Sequence, residues 1–502
     1  MSFLGLDIGT SGCKAAVFDG EGRLLALAYR EYPTLSPQPG WAELDPEQVA
    51  GACFAVIKEA AGQCPGDAVT ALAISSQGEA FMPLDGEGRV LANAMVSSDA
   101  RAAGLTRSWS ERFGRERLYR ITGHTPHAFF SLFKLAWLRE NAPEVWRSAR
   151  KFFCFEDFLQ QRLGVEPPGI SWALAGRTML FDVTKHEWSG EILDELGLSP
   201  EQLARPVASG QIAGFVAPAI ARELGLSERV AVVPGGHDQP CAGLGAGAIA
   251  PGSAMYATGT VECITPAFDR PVFTEALFQG NLCTYDHVVP GLYATVAFSL
   301  TGGNLLKWFR DQWSRSEVRE AQATGANAYE LILAQLPAEP SSLLVLPYFT
   351  PSGTPYFEAS PMGAILGLTL GTTRAEVLRA LLEGVAFEMR LNLDLMERSG
   401  IGIRDLVAVG GGARNSRWTQ LKADVLGKPI RQAAVTEAGC LGAAMLACAA
   451  QTGEALTSLV GRWVKMGETV EPIPEHAEYY QKRYAAYQGL YPALRGMMGH
   501  PC

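Results

Sequence analysis

The stretch "GLDIGTSGCKAAVFD", residues 5–19, decides the fold of this chain. It places two β-prone runs on either side of a turn made of small and hydroxylated residues, and "DGEG" at 19–22 leads into a third run. Apolar residues then recur at helical spacing over residues 46–62, and "AVTALAISSQG", residues 68–78, is typical of a buried strand. This order predicts a sheet that starts as a hairpin and gains its next strand after a helix.

The second half of the chain repeats this plan. "SAMYATGTVECIT", residues 253–265, again places a Gly-Thr turn between two β-prone runs. A chain of 502 residues is also too long for one ordinary core. We therefore predict an α/β protein with two similar domains, residues 1–245 and 246–502, which face each other across a cleft in an actin-like (ribonuclease H-like) duplication.

The composition excludes several classes of protein. Hydrophobic residues make up 48% and charged residues 19%, which excludes general disorder. The net charge of −10 argues against nucleic-acid binding, and no apolar run reaches the ~20 residues that span a bilayer. The ten cysteines form no CxxC pair and no signal peptide is visible, so we expect a cytoplasmic protein with reduced thiols. The seven dispersed histidines predict no metal cage made only of protein ligands.

The first Gly-rich turn has residues that suit an anion. Backbone N–H groups and the hydroxyls of Thr10 and Ser11 could face a phosphate, with Lys14 as a point charge. Asp7, at the end of an apolar strand, could hold Mg²⁺ through water molecules. Taken alone, the stretch is more typical of a plain Gly/Ser hairpin.

Two further turns favour the phosphate interpretation. "YATGTVE" has Gly259 and Thr260 at its centre, and residues 405–426 run from a buried strand through three glycines into a helix. Gly411 and Gly412 allow close backbone approach, and the helix N-terminus near Asn415 suits a nucleotide. Three such features in one chain indicate a nucleotide held between two lobes.

"VVPGGHDQPC", residues 232–241, raises a separate question about Asp238. Pro240 and the small residues after it suit a helix start, with Asp238 near the N-cap. The same carboxylate could accept a proton from a substrate. The two interpretations are compatible, because a helix N-terminus would hold the carboxylate and keep it ionised. We expect the two glycines to turn the backbone sharply.

Two long patterns resemble the signatures of the FGGY family of carbohydrate kinases, which belongs to the actin, hexokinase and Hsp70 superfamily. They are "FFSLFKLAWLREN", residues 129–141, and "GAILGLTLGTTRAEVLRALLE", residues 363–383. The resemblance runs nearly end to end, from the first Gly-rich turn to "YYQKRYAAYQGLY" at 479–491.

The resemblance implies transfer of the γ-phosphoryl group of MgATP to a hydroxyl of a small sugar or polyol. Asp238 would be the general base, Gln239 would hold a substrate hydroxyl, and Asp7 would lie by Mg²⁺. A carboxylate within ~3 Å of a hydroxyl can take its proton as the O–P bond forms. The residues implied to bind the nucleotide are Thr10, Ser11, Lys14, Gly259, Thr260, Gly302, Gly303, Gly411, Gly412 and Asn415.

The first group of implied sugar-binding residues departs from the patterns of the relatives. Gln77, Gly78 and Glu79 stand where xylulose kinases typically have Gln-Met-His and glycerol kinases have Gln-Arg-Glu. Glu79 keeps a carboxylate that could accept hydrogen bonds from substrate hydroxyls. Gly78 removes the side chain that would form a wall or, as arginine, donate. A solvated loop position for Glu79 is the alternative.

The second group departs as well. Asp99 is retained, but Ser97 and Ser98 occupy positions that usually hold Trp-Asn, and Phe129 takes the place of a tyrosine that lines the glycerol-kinase pocket. Loss of an indole removes a large apolar contact and adds room. These changes argue for a substrate that is larger or more polar than glycerol.

The expected function is an ATP-dependent sugar kinase that acts on a ketopentose such as xylulose, without nucleic-acid or membrane partners and compatible with a homodimer. The alternatives are a kinase of another sugar or polyol (glycerol-like, ribulose, erythritol or gluconate), an inactive sugar sensor, and a nucleotide-gated binding protein like actin and Hsp70. His237, next to the implied base, is expected to be structural, because a lone histidine more often is.

Overall fold

The computed structural model describes residues 1–358 and 362–498 and contains a large sheet in each half of the chain. The strands of the first half are β1 Ser2–Ile8, β2 Gly12–Asp19, β3 Leu24–Glu31, β4 Glu43–Leu44, β5 Val69–Ser76, β6 Met82–Leu84, β7 Ala94–Met95, β8 Lys151–Phe153, β9 Gly169–Ser171, β10 Phe181–Asp182, β11 Glu187–Trp188, β12 Arg205–Val207, β13 Gly214–Phe215 and β14 Ala231–His237. Its helices are α1 Pro46–Gly62, α2 Ala103–Trp109, α3 Arg115–Thr122, α4 Ser131–Asn141, α5 Pro143–Ser148, α6 Phe155–Arg162, α7 Trp172–Ala175, α8 Gly190–Leu196, α9 Pro218–Leu224 and α10 Asp238–Gly245.

The first sheet has the strand order β13-β14-β5-β1-β2-β3. β1 pairs antiparallel with β2 and parallel with β5, as the hairpin and crossover predicted. The crossover helix α1 covers residues 46–62, as expected, because Asp45 caps the N–H groups of Glu47 and Gln48 and Pro46 fits the first helical position. The hairpin places Asp7 opposite Lys14.

The second half adds its own strands and helices. The strands are β15 Ser253–Thr258, β16 Glu262–Phe268, β17 Tyr285–Asp286, β18 Tyr293–Ala294, β19 Ala297–Ser299, β20 Leu344–Leu346, β21 Ala364–Leu366, β22 Asp405–Val409, β23 Ile430–Ala433 and β24 Met466–Val470. The helices are α11 Glu275–Gln279, α12 Gly303–Trp313, α13 Arg315–Thr324, α14 Ala328–Leu333, α15 Arg374–Arg398, α16 Ser416–Leu426, α17 Ala438–Thr452, α18 Leu456–Trp463 and α19 Pro474–Met498.

The second sheet repeats the first in topology. Its order is β17-β18-β16-β15-β22-β23-β24, with β19 also paired to β16. β15 pairs antiparallel with β16 and parallel with β22, as β1 does with β2 and β5. The predicted internal duplication and the two-domain actin-like fold are therefore confirmed. Among the described residues, no helix combines the length and the apolar character that a membrane span needs.

The helices α10 and α17 join the two halves by close backbone contact. A Cβ atom on Gly245 would lie 1.9 Å from the carbonyl oxygen of Ala438, and one on Gly442 would lie 1.9 Å from that of Cys241. Any side chain at either position would collide with the backbone of the other helix. The absence of side chains thus lets α10 and α17 cross at backbone distance, between the two sheets.

The backbone at residues 235–236 differs from the prediction of a sharp turn. β14 continues through both glycines to His237, and its parallel register with β5 shifts at Gly236, which has φ 140°. A Cβ on Gly235 would lie 2.5 Å from the carbonyl oxygen of Ile74 in β5. The glycines therefore allow strand pairing through a bulge, and the chain turns only at the start of α10.

Candidate active site

Asp238 is the first residue of α10, at the point where β14 ends. The N-cap position belongs to His237, so Asp238 is not the cap. About a third of the Asp238 side chain is exposed (32%), and its Oδ1 lies 3.2 Å from Nε2 of His237. Within the described residues, Oδ1 has no aligned hydrogen bond, and neither has the neighbouring buried Oε1 of Gln239. Two unpartnered acceptors therefore lie side by side at this helix start.

The environment of Asp238 raises the pKa of its carboxyl group to about 7. Burial is the largest cause, and the charges of Asp7 and Glu79 add to it, while Gln239 and Arg177 act in the opposite direction. With this pKa the carboxyl group is about half ionised at pH 7, which is less complete ionisation than its position at a helix N-terminus led us to expect. A carboxyl group with such a pKa is suited to exchange protons near neutral pH.

Asp7 lies in β1 directly before the first Gly-rich turn. Ser75 Oγ donates to its Oδ1 at 2.7 Å, and burial raises the pKa of this carboxyl group. Gly439, in the first turn of α17, has no side chain, and a Cβ there would lie 2.9 Å from Oδ2 of Asp7. The turn itself is closed by the Gly9 N–H, which donates to Gly12 O at 3.0 Å. Asp7 is thus held at the base of the turn.

Lys14 forms an ion pair with Glu437 across the two halves of the chain. Its Nζ lies 2.7 Å from Oε2 of Glu437, just before α17. Burial alone would lower the pKa of Lys14, but the hydrogen bond and charge of Glu437 outweigh it and raise the pKa. The sequence analysis did not find Glu437. Thr10 and Ser11 lie at the open side of the same turn, half-buried and exposed respectively.

Gln77 binds the first turn. Its Nε2 donates to Gly9 O at 3.0 Å, and its Oε1 accepts from Thr10 Oγ1 at 3.3 Å. Both polar ends of the side chain are therefore occupied by the protein. The structure shows that Gln77 shapes the phosphate turn, and because its amide keeps a second N–H and a second lone pair, the predicted sugar contact stays a prediction.

Glu79 is buried and paired with Arg177, a residue that the sequence analysis missed. Arg177 Nε donates to Glu79 Oε1 at 2.6 Å, and Nη2 contacts the same oxygen. Both residues are buried, so the solvated position considered for Glu79 is wrong. A Cβ on Gly78 would lie 3.3 Å from Cβ of Arg177 and 3.0 Å from Cδ2 of His237. The space that Gly78 vacates is filled by these two side chains.

Phe129 belongs to an aromatic wall beside this pair. Its ring centroid lies 4.4 Å from that of His127 and 4.2 Å from that of Phe130, and Phe357 from the second half packs edge-on at 5.9 Å. The guanidinium carbon of Arg177 lies 5.9 Å from the centre of the Phe129 ring. The predicted position of Phe129 as a pocket wall agrees with this geometry.

Asp99 is placed differently from our prediction. Arg101 donates to both carboxylate oxygens, at 2.7–3.0 Å, and the Ala42 N–H donates to Oδ2 at 2.7 Å. The side chain of Asp99 is fully buried, and Arg101 stacks on Trp41 at 3.6 Å. With both oxygens saturated, Asp99 holds Arg101 and has no acceptor left for a sugar hydroxyl.

The second Gly-rich turn docks on the start of α12. Gly303 N–H donates to Gly259 O at 2.9 Å, and the N–H of Asn304 donates to Thr260 O at 3.1 Å. A Cβ on Gly303 would lie 2.5 Å from Gly259 O, and one on Gly302 would lie 2.9 Å from the backbone of the strand that follows the turn. The glycines thus serve the contact between turn and helix, while Gly259 and Thr260 remain exposed at the cleft.

The third Gly-rich segment surrounds Thr258, the last residue of β15. A Cβ on Gly412 would lie 2.3 Å from Cγ2 of Thr258, whereas Gly411 has no atom within 4 Å. Asn415 caps α16 by accepting from the N–H of Trp418, and its Nδ2 donates to Glu330 at 2.8 Å. Gly411 is therefore open to a ligand, and the polar groups of Asn415 are used within the protein.

A buried ion pair that we did not predict lies under the second turn. Lys422 Nζ lies 2.7 Å from Oε1 of Glu262 and donates to Thr258 Oγ1 at 2.6 Å. Burial lowers the pKa of Lys422, and the charge of Glu262 acts in the opposite direction. Lys422 occurs inside an amphipathic helical pattern, so sequence spacing gave no signal for it.

Comparisons with known proteins match this chain over its whole length. The profile of the FGGY family of carbohydrate kinases, N-terminal domain, matches residues 2–245, and that of the C-terminal domain matches residues 254–451. A xylulose kinase of Bacillus subtilis (strain 168) is 26% identical over 97% of this chain and 96% of its own. A glycerol kinase of Methylibium petroleiphilum is 32% identical over 88% and 89%.

Comparison with solved structures gives the same result as comparison of sequences. The crystal structure of a xylulose kinase from Rhodospirillum rubrum superposes with a TM-score of 0.91 at 25% identity and covers 100% of both chains. The signatures, the duplicated fold and the profile matches agree from end to end. The chain is a phosphotransferase with an alcohol group as acceptor, its kinase family implies ATP and a divalent metal, and it belongs to the FGGY family of carbohydrate kinases.

Proposed function

We propose that this kinase transfers the γ-phosphoryl group of MgATP to a hydroxyl of a ketopentose such as xylulose, with Asp238 as the general base. The observation that carries the proposal is the partly exposed carboxyl group of Asp238, whose pKa is raised to about 7, next to the unpartnered Oε1 of Gln239 and near the buried pair of Glu79 and Arg177. The sugar hydroxyl would give its proton to Asp238 as its oxygen bonds to phosphorus. The bond between that phosphorus and the bridging oxygen breaks, and its electron pair leaves with ADP.

The residues near the first turn fit a divalent cation. The charge of Asp7 contributes to the raised pKa of Asp238, and a cation near the two carboxyl groups would offset this repulsion. Among residues 1–358 and 362–498, no group of three or more His, Cys, Asp or Glu side chains could form a closed metal cage. Mg²⁺ needs no such cage, because it is commonly held by one carboxylate together with several waters and the phosphate oxygens of the substrate. Mg²⁺ bound at Asp7 would offset charge on the phosphoryl oxygens.

The nucleotide would lie along the three Gly-rich segments. Thr10 and Lys14 would face the transferred phosphoryl group, and Gly259 and Thr260 the β- and γ-phosphates. Gly411, which is open in the structure, would face the adenosine. In this arrangement both halves of the chain contribute residues to the nucleotide site. The boundary between the halves lies near residue 245, in line with the proposed domains 1–245 and 246–502.

The choice of a ketopentose as substrate rests on the substrate in the names of the xylulose kinase relatives and on the polar residues at the sugar side of the cleft. Glu79 Oε1 is shared by Arg177 Nε and Nη2, and the guanidinium has further N–H donors for substrate oxygens. Such a site suits a substrate with more hydroxyl groups than glycerol. Free thiols at all nine cysteines of the described part support a cytoplasmic location. A homodimer stays a prediction.

The test is an ADP-release assay over ketoses, polyols and aldonates, followed by Asp238→Asn with the best substrate. We expect kcat to fall by about 10²–10⁴-fold, the range for loss of a general base, while ATP binding measured by calorimetry stays unchanged. Asp194→Asn, an exposed carboxylate on α8, is the matched control. Near-normal turnover by Asp238→Asn would contradict the base assignment, and turnover on glycerol or gluconate alone would contradict the ketopentose.

A further inference from the structure

His237 connects the proposed base to a tyrosine from the other half of the chain. Its Nδ1 lies 2.9 Å from the hydroxyl of Tyr285, and its Nε2 lies 3.2 Å from Oδ1 of Asp238. His237 is buried, and Tyr285, in β17, is fully buried. The three side chains thus form a continuous line from the second half of the chain to the carboxylate.

The direction of the hydrogen bonds follows from the chemistry of the three groups. Burial, with the charge of Arg177, lowers the pKa of His237 well below its ordinary value, so the ring is neutral and carries one N–H. Next to the carboxylate of Asp238, that proton belongs on Nε2. Nδ1 then accepts, and the hydroxyl of Tyr285 donates to it. A neutral imidazole in this tautomer has its N–H on the side of Asp238 and, once aligned, would donate to one of the two carboxylate oxygens and fix it.

Two independent features keep this line in place. The first is Gly78, since a Cβ there would lie 3.0 Å from Cδ2 of His237 and would displace the ring. The second is the strap, residues 281–288, which carries Tyr285 and is bound to the first half on both sides of it. Thr284 N–H donates to Gly123 O at 2.9 Å, and Asp286 Oδ1 bonds to Nε2 of His186 at 2.9 Å.

We propose that Tyr285 and His237 act as a positioning pair, which holds Oδ1 of Asp238 so that Oδ2 faces the acceptor hydroxyl of the sugar. The 3.2 Å contact lacks the alignment of a formed hydrogen bond in the resting enzyme, and such contacts tighten when substrate binds. The pair touches neither reacting atom and acts only through Asp238. The proposal rests on the proposed function, since it requires Asp238 to be the base.

The groups around the line support a positioning role over a charge role. The charged or titratable side chains that face Asp238, His237 and Tyr285 are Asp7, Glu79, His124, Arg177, Cys241, Cys263 and Cys283. Glu79 and Arg177 already pair with each other, and burial lowers the pKa of His124 well below its ordinary value. The neutral pair therefore orients the carboxylate by a hydrogen bond and adds no net charge.

The test compares Tyr285→Phe, His237→Leu and His237→Gln in the full-length enzyme with saturating ATP and its best sugar. We expect Tyr285→Phe and His237→Leu to lower kcat by about 10-fold to 100-fold, with both KM values within about twofold of the parent. The amide of His237→Gln can still donate towards Asp238, so it should recover part of the loss. The double variant Tyr285→Phe/His237→Leu should lose no more kcat than His237→Leu alone, because Tyr285 and His237 act through one hydrogen-bonded line.

Tyr119→Phe is the matched control, since Tyr119 is buried and its hydroxyl has no hydrogen-bond partner among the described residues. Thermal melting of every variant separates misfolding from misorientation. Normal kcat in Tyr285→Phe, a change confined to KM, or additive losses in the double variant would overturn the positioning pair. Asp238→Asn, run in parallel, separates the two proposals: if it stays active the base assignment fails, and if it alone is inactive only the positioning pair fails.

Discussion

The sugar side and the nucleotide side of the cleft are built from different parts of the chain. On the sugar side, buried side chains bind one another, as Glu79 binds Arg177 and His237 binds Tyr285. On the nucleotide side, the Gly-rich segments contact each other through backbone atoms, as Gly303 contacts Gly259. Substrate choice can therefore change by replacing a few side chains, whereas the nucleotide side depends on close contacts that leave no room for a Cβ atom.

The largest effect is expected on the sugar side of the cleft, when Arg177 is replaced. Arg177→Met leaves the buried Glu79 without its partner, and we expect the free energy of unfolding to fall by about 3–5 kcal/mol. We expect kcat/KM for the sugar to fall by at least about 100-fold because the pocket wall is displaced. Denaturant titration and steady-state kinetics measure the two effects. Arg147→Met, on an exposed ion pair of α5, should change neither.

The pH dependence of kcat/KM sharpens the comparison, because only the sugar side contains the titrating base. The pKa of Asp238 is raised to about 7 in the free enzyme, and the base acts only when it has lost its proton. Activity should therefore be full above pH 7 and fall about tenfold per pH unit below it, reaching about 100-fold at pH 5. Rates at saturating ATP from pH 5 to 9 measure this, and a flat profile down to pH 5 would contradict it.

On the nucleotide side of the cleft, substitution of a glycine should weaken ATP binding. Gly303→Ala places a Cβ 2.5 Å from Gly259 O, so we expect the second turn to shift and the Kd for ATP to rise by roughly tenfold. Binding of the sugar alone should stay unchanged, since the turn lies across the cleft. Gly461→Ala, at a position in α18 with no atom within 4 Å, controls for the substitution itself. Equal loss of sugar and ATP binding would show that the two sides are not separable.

The smallest effect is expected where the two sides meet, at Lys14. Glu437 pairs with the ammonium group of Lys14, which a phosphate of ATP would otherwise contact. Glu437→Gln should therefore tighten ATP binding by about twofold, the scale of a partly exposed ion pair. The gain should shrink as salt concentration rises. Calorimetry at two salt concentrations measures it. Weaker ATP binding by the Gln variant would show instead that Glu437 holds Lys14 in position.

Local patterns predicted the frame of the molecule. The helix at 46–62 was predicted at the bounds found here, because its cap and its apolar spacing lie within the segment itself. The hairpin and the repeated strand order followed from turn residues in the same way. At residues 235–236 the local rule failed, since pairing with β5 kept the glycines in a strand.

Side-chain partners were harder to predict than positions. Asp238 was placed correctly at the start of a helix, but Gln77 bonds to the distant Gly9, and Asp99 is enclosed by its neighbour Arg101 and the distant Ala42 N–H. Arg177 lies on a single 3₁₀ turn, residues 176–178, and Tyr285 on a two-residue strand, so neither belongs to a periodic pattern. Only the packing of separate segments brings them together.

The glycine crossing of α10 and α17 has a consequence for how the cleft opens. Because the two helices touch through backbone atoms at Gly245 and Gly442, they cannot rotate against each other there without collision or loss of contact. We therefore expect opening to bend the chain where it leaves this pair, at residues 246–252, 434–437 and 453–455. In hydrogen exchange, the amides of α10 and α17 should therefore be the slowest in the protein, with or without ligand, and those at the three hinges should report each cycle of opening.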